Sequence, residues 1–393
     1  MASIKFGTDG WRGVIAEDFT FNNVKIVTQA IADYLNSQKE NSKILIGYDT
    51  RFLSNEFALT SAKVLAGNKI NVYITNHPTP TPVVSFSIVD NKFDGGIIIT
   101  ASHNPPKYNG LKFKGSYGGP AFVEITNEIE KFLYKTNVKE INDDEIEEKI
   151  KFSSYKERYI NKITSYVDMK LIKNAKFKVV IDPMYGTAIG YIDKILSKTK
   201  LNLTMIHNEY NPLFGGKRPE PIKENLLSLI KEVKMRKADA GFATDGDADR
   251  IGVVDGNGNF ISAQQVMSLL LIHLLKNKKM RGAIVKTNAM TMNLNKIAEK
   301  FNIPIYETPV GFKHVAKLML EKDILIGGEE SGGIGFKNFV PERDGILSVL
   351  LLIEMMTMMN KNIKELVKDM EKEFGKFVYK RVDMEISDDK KEK

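Results

Sequence analysis

Apolar, β-branched runs alternate along this chain with helical patterns, and that alternation limits the available folds more than any other feature. "KILIGYD" (43–49) precedes the helical "NEFALTSAKVLAG", and "KINVYITN" follows it. "HPTPTPVVSFSIVD" comes next, then the strand-like "DGGIIIT". Repetition of this kind predicts a largely parallel sheet covered by helices. At 393 residues the chain is too long for one compact core, so two or three α/β domains are expected.

An acidic and lysine-rich stretch at about 135–160 has few large apolar residues and reads as a boundary or as surface helices. A second unit begins near "KFKVVIDPMYGTA" (176–188) and continues to "ADAGFATDGDADRIGVVD". A third begins near "RGAIVKTN" (281–288) and contains "DILIGGEESGG" (323–333). "DGGIIITASHNP", "ADAGFATDGDADR" and "KDILIGGEESGG" share a layout: each runs from a short apolar strand into a polar loop. Ligands of α/β sheets bind beyond the carboxyl ends of strands, so three such loops are expected to converge on one cleft.

The chain has no cysteine, which excludes disulfides, thiolate metal sites and a cysteine nucleophile. The start, "MASIKFGTDGWRG", lacks the apolar core of a signal peptide. "VMSLLLIHLL" and "ILSVLLLIEMMTMM" are short and interrupted, and read as buried helices rather than membrane spans. A cytoplasmic protein without membrane contact is expected. The net charge of +8 is spread along the chain among 49 acidic residues, which points to a solvated surface rather than to nucleic acid. A mild positive field favours small anionic substrates. There is no G-x-x-x-x-G-K-[ST] loop and no clear G-x-G-x-x-G.

Four stretches carry chemistry. In "TASHNPPKYNGLKF", Ser102 lies just beyond a strand, on a backbone stiffened by Pro105 and Pro106. A fixed serine suits a covalent intermediate; an ordinary turn with a capping serine is the alternative. His103 is not required as its base, because neighbours on an extended segment point apart. In "DGDADR" (245–250), an extended backbone would put Asp245, Asp247 and Asp249 on one side. Three hard oxygen donors without Cys or His suit Mg²⁺. An EF-hand fails, since its sixth and twelfth positions would be Arg250 and Gly256. In "GGEESGG" (327–333), glycines allow close approach, and Glu329 and Ser331 offer partners to a polyol. In "FGTDGWRG" (6–13), Arg12 can clamp a phosphate, while Trp11 reads as packing. Lys112, Lys313 and His314 are secondary candidates. A cation site and a serine without a nucleotide motif suggest phosphate moved within a substrate, through the protein itself.

Taken in order, these motifs resemble those of the α-D-phosphohexomutases, the phosphoglucomutase/phosphomannomutase family. "GYDTR" (47–51), "FGGKRPEP" (214–221), "TPVGFK" (308–313) and "RDGI" (343–346) fit as well, and the resemblance covers nearly the whole chain. It implies three consecutive similar α/β domains, with mixed, largely parallel sheets around a central cleft. Residues 1–150 would hold the phosphoserine loop, 151–254 the metal loop and 255–372 the sugar loop. Residues 373–393 would be a short C-terminal stub of a fourth domain. Ser102 would carry the phosphoryl group, and Asp245, Asp247 and Asp249 would hold Mg²⁺ together with it. Arg12, Lys112 and Arg250 would stabilise phosphate charge, with Lys112 or His103 helping proton transfer. Glu329 and Ser331 would grip sugar hydroxyls, and Thr308, Gly311 and Lys313 would line the sugar site.

The implied reaction interconverts hexose 1-phosphate and hexose 6-phosphate through a phosphoserine and a hexose 1,6-bisphosphate. "GGEESGG" and "TPVGFK" look more like glucose-directed members, with mannose as a second sugar. "FGTDGWRG" looks like the phosphoglucosamine mutase branch, and Tyr48 departs from the family's usual Gly-Arg-Asp pattern. Family members usually carry a fourth domain with an Arg-x-Ser-Gly-Thr-type phosphate loop. Here "KFVYKRVDMEISDDKKEK" resembles only the entry to it, with a disordered tail "SDDKKEK" expected. The expectation is an intact serine site with an impaired mutase cycle. A truncated or non-catalytic sugar-phosphate binder is the rival. Hexose phosphates are the expected partners, and a monomer or homodimer the expected state.

Overall fold

Ile97 and Ile99 enter one apolar cluster and Ile98, between them, enters another. A strand buried on both faces is the mark of a sheet covered by helices on each side. A computed structural model describes residues 4–7 and 9–378 of the chain. The tail "SDDKKEK" and most of the expected stub, 379–393, lie outside the described residues.

The first sheet contains β1 (Trp11–Val14), β2 (Lys43–Tyr48), β3 (Asn71–Thr75), β4 (Gly95–Ile99), β5 (Tyr108–Gly115) and β6 (Ile150–Ser153). Their spatial order is β1-β5-β4-β2-β3-β6. The second contains β7 (Lys178–Asp182), β8 (Asn202–Met205), β9 (Ala240–Thr244), β10 (Ile251–Asp255) and β11 (Phe260–Ile261), in the order β11-β10-β9-β7-β8. The third contains β12 (Ala283–Thr287), β13 (Ile305–Thr308), β14 (Ile324–Gly328) and β15 (Ile334–Phe336), in the order β13-β12-β14-β15. These are three α/β domains with mixed sheets. Each has a parallel interior strand that turns back into an antiparallel neighbour: β4 into β5, β9 into β10, β14 into β15. The three connecting loops are the three singled out in the sequence.

Helices Phe21–Gln38 and Ser54–Gly67 share a cluster with Ile44, Ile46, Ile97 and Ile99. Helix Thr81–Asp90 joins Leu45 and Ile98 in the other cluster. Pro82 sits in its first turn, where a missing N–H costs nothing. That second cluster also holds Phe242 of β9 and Ile326 of β14, so one apolar interior runs through all three domains.

Two expectations are revised. The charged stretch at 135–160 contains β6, which pairs with β3 and extends the first sheet. Only Ile150 of β6 is buried, so this edge strand has almost no apolar signal. Helix Lys156–Tyr166 is likewise not a pure surface helix, since it buries Tyr159, Ile160 and Ile163. The expected boundaries at 150/151 and 254/255 fall inside β6 and β10. Among the described residues no single helix is long and apolar enough to cross a membrane. Gly345–Met359 and Ile363–Phe374 reach that length only together, across an 80° bend, and the first is buried from Gly345 to Met356.

Candidate active site

Ser102 has a φ of 50°, in the left-handed region that non-glycine residues seldom adopt. Its N–H donates to Thr100 Oγ1 (2.9 Å), whose hydroxyl donates to Asp49 Oδ2 (2.6 Å). Its carbonyl accepts Arg51 Nη2 at 2.6 Å. So held, the Ser102 hydroxyl donates to Asp245 Oδ2 of the second domain at 2.9 Å. His103 Nδ1 lies 3.4 Å from the same oxygen. The expectation that these neighbours point apart fails because the left-handed turn breaks the extended alternation.

The three aspartates do meet, but on a turn rather than on an extended segment. Ala248 has a φ of 58°, and Asp245 Oδ1 accepts the N–H groups of Asp249 (2.9 Å) and Arg250 (3.1 Å). One carboxylate oxygen from each of Asp245, Asp247 and Asp249 lies within 4.8 Å of the others. All three side chains are fully buried, and Asp247 Oδ1 and Asp249 Oδ1 accept no hydrogen bond among the described residues. Buried acceptors left unpaired are costly, and an all-oxygen set fits a hard divalent cation. The turn also needs its glycine: a Cβ on Gly246 would stand 2.8 Å from the Ser102 carbonyl oxygen.

Cations from the other domains close around this turn. Lys112, 1% exposed, reaches Asp247 Oδ2 (2.8 Å), Asp9 Oδ2 (2.9 Å) and Asp249 Oδ2 (3.5 Å). Thr81 Oγ1 donates to Asp247 Oδ2 at 2.7 Å. Arg343 Nη2 bridges Asp249 Oδ2 (2.7 Å) and Asp9 Oδ2 (2.8 Å). Lys114 pairs with Glu342 below it. Burial alone would lower the Lys112 pKa, but Asp247, Asp9 and Asp249 outweigh it and hold the ammonium protonated. Asp245 is shifted up as well: burial, then Asp249 and Asp247, push its carboxyl well above the usual range, toward the uncharged form. Burial, helped by Arg250 and Arg12, holds His103 well below its usual range, as a neutral ring. Of the two candidates for proton transfer, Lys112 is held charged and His103 neutral.

Arg12 Nη1 donates to Asn104 Oδ1 at 2.8 Å, against the serine loop. Arg250 lies 3.8 Å from Asp249, and its backbone bridges Gly333, joining the second and third loops. Glu329 is buried, its carboxyl raised by that burial, and it lies 3.4 Å from Arg343 Nη1. The Ser331 hydroxyl oxygen is buried with no hydrogen-bond partner among the described residues, beside a cavity of about 300 Å³ shared with Lys223, Glu224 and Glu330. Thr308, Gly311 and Lys313 run from the end of β13 into helix Phe312–Glu321. Among the described residues, no hydrogen bond or ion pair joins these three to the aspartates. Sequence reasoning did not assign Asp9, Arg51, Arg343 or Thr81 to the site. Asp9, Arg51 and Arg343 stand in "FGTDGWRG", "GYDTR" and "RDGI", which were noticed without a role for these residues.

Fold and site together define a three-domain α/β enzyme that sets a serine against three buried aspartates. The family models described as "Phosphoglucomutase/phosphomannomutase, alpha/beta/alpha" domains I, II and III match residues 3–140, 157–258 and 262–374. A phosphoglucomutase/phosphomannomutase of Thermococcus kodakarensis is 32% identical over 372 residues, covering 93% of this chain and 80% of that protein. A phosphoglucosamine mutase of Nautilia profundicola is 32% identical over 368 residues, covering 92% of this chain and 81% of that protein. The crystal structure of a Thermus thermophilus protein, provisionally called a phosphomannomutase, superposes with a TM-score of 0.90. It is 35% identical and covers 95% of this chain and 84% of that one. The chain belongs to the phosphoglucomutase/phosphomannomutase family, a family of intramolecular phosphotransferases.

Proposed function

We propose that this chain is an α-D-phosphohexomutase that interconverts hexose 1-phosphate and hexose 6-phosphate, with glucose favoured and mannose as a second sugar. The observation that carries the reading is the Ser102 hydroxyl, 2.9 Å from Asp245 at the edge of the aspartate cluster. Asp245, Asp247 and Asp249 would hold Mg²⁺ beside Ser102, where the ion supplies charge neutralisation at the phosphoryl oxygens. Ser102 would carry the phosphoryl group between two half-reactions, giving it to the free hydroxyl of a hexose monophosphate. The hexose 1,6-bisphosphate would then turn over in the cleft and return its other phosphate to Ser102. Such transfers depend mainly on positioning and charge stabilisation. Arg12 and Arg250 are suited to steady the moving phosphate, and Lys112 to supply fixed positive charge. His103, neutral and 3.4 Å from the serine oxygen, is the candidate proton carrier. Glu329 and Ser331 would grip sugar hydroxyls, with Thr308, Gly311 and Lys313 lining the same side. Cytoplasmic residence and a monomeric or homodimeric state complete the proposal.

The test is Mg²⁺-dependent conversion of glucose 1-phosphate to glucose 6-phosphate, primed with glucose 1,6-bisphosphate, in wild type and Ser102→Ala. Serine-dependent product supports the mutase. Hexose phosphate binding without conversion would favour a sugar-phosphate binder. The identity to the Nautilia phosphoglucosamine mutase favours one further reading, so glucosamine 6-phosphate belongs in the same assay.

A further inference from the structure

The loop that carries Ser102 is organised around one buried side chain, Arg51. Arg51 is 1% exposed, yet every N–H of its guanidinium has a partner. Nε donates to Asp49 Oδ2 (3.1 Å). Nη1 donates to the carbonyls of Pro105 (2.9 Å) and Tyr108 (3.0 Å). Nη2 donates to the carbonyls of Ser102 (2.6 Å) and Asn104 (2.7 Å). Four of the five acceptors are thus backbone oxygens, three of the serine loop and one of Tyr108 where β5 begins, and one of them is Ser102's own.

Asp49 fastens the other end. Its carboxylate accepts Arg51 N–H (2.9 Å), Ser54 Oγ (2.7 Å) and Thr100 Oγ1 (2.6 Å), and Thr100 in turn accepts the Ser102 N–H. Both peptide groups that flank the serine Cα are therefore tied, directly or through Thr100, to the Asp49–Arg51 pair. Residues held at positive φ store backbone strain and persist where surrounding bonds over-determine them. The open face of the guanidinium is covered by the second domain, with the Phe214 ring 5.0 Å away. Among the described residues, no hydrogen bond joins the Arg51 guanidinium to the Ser102 hydroxyl.

We propose that Arg51 is a positioning residue for phosphoryl transfer. It holds the left-handed turn that aims the Ser102 hydroxyl at Asp245, and Phe214 couples that hold to the domain carrying the aspartates. The inference rests on the mutase reading above. A lysine cannot replace it, because an ammonium offers its donors from one point and cannot reach carbonyls spread around a planar fork.

The experiment compares wild type, Arg51→Lys and Phe214→Leu. Steady-state kinetics give kcat and KM for glucose 1-phosphate. Intact mass follows phosphoryl uptake at Ser102 from glucose 1,6-bisphosphate. Misplacement of a reacting group by about 1 Å costs on the order of 10²-fold. Arg51→Lys should therefore lose about that factor in kcat and in the rate of uptake, with KM unchanged. Phe214→Leu, which keeps every hydrogen bond, should show a smaller fall of the same kind. Wild-type kcat in Arg51→Lys, or a KM that worsens as kcat falls, would overturn the inference. If Arg51→Lys does not fold, Phe214→Leu decides: a reduced kcat at constant KM supports the coupling, and unchanged kinetics refute it. A wild type that takes up no phosphoryl group would bring down the mutase reading itself, and this inference with it.

Discussion

Lys112→Met is the most informative single change at this site. The ammonium is 1% exposed and lies within 3.5 Å of Asp247, Asp9 and Asp249. Methionine keeps most of the stem's bulk and removes the charge. Arg343 still serves Asp9 and Asp249, but among the described residues Asp247 then loses its ammonium partner and keeps the Thr81 hydroxyl and Asp245 beside it. Breaking a buried ion pair from one side costs about 3–5 kcal/mol, because the remaining charge stays buried without compensation. That is the loss of unfolding free energy expected in chelator. A divalent cation should recover part of it. The three aspartates of the variant carry more uncompensated negative charge, so they should bind the ion more tightly than in wild type. At saturating ion, each tenfold gain in affinity adds about 1.4 kcal/mol of stabilisation. Urea unfolding of both proteins, with chelator and with Mg²⁺, measures this. The prediction is a large deficit in chelator and a Mg²⁺ increment at least about 1.4 kcal/mol larger in Lys112→Met. Equal increments in the two proteins would refute the electrostatic account, and no deficit would show that Lys112 carries no stabilising charge.

Further outcomes follow from the same geometry. Asp247→Asn should weaken Mn²⁺ binding by at least about tenfold in calorimetry, since it removes a charge from the oxygen set; unchanged affinity would exclude Asp247 as a ligand. Gly246→Ala places a Cβ 2.8 Å from the Ser102 carbonyl, which should cost about 1–3 kcal/mol and slow phosphoryl uptake at Ser102. Burial pushes the Asp344 carboxyl up to about 7, against hydrogen bonds from Leu347 N–H and Tyr159. A carboxyl that keeps its proton longer when folded contributes stability below its unfolded value near 4, and that contribution is lost as pH rises toward about 7. Asp344→Asn should therefore flatten the decline of the urea midpoint across this window, and parallel profiles would count against the assignment.

The residues that gather at the candidate site were legible in short, contiguous stretches. "TASHNP", "DGDADR" and "GGEESGG" each follow a run of apolar residues, and a buried strand can end only in a loop at its carboxyl end. What those stretches did not show was their shape. Both the serine and the aspartate loops turn through left-handed residues, Ser102 and Ala248, whose conformations no propensity favours. Reading them as extended misjudged the side of His103. The edge strand β6 was hidden for a related reason: it buries one residue, so its apolar pattern is nearly absent.

The sequence by itself determined the strand–helix alternation, the three loops and the residue types they present, because these depend on neighbours within a few positions. Only the tertiary structure decided which charges meet. Arg343 and Asp9 are 334 positions apart yet hydrogen-bonded at 2.8 Å, and Arg51 reaches the Ser102 carbonyl across 51 positions. Such pairs have no local signal. They form where three sheets point their loops into one buried space, and there an unpaired charge is too costly to leave.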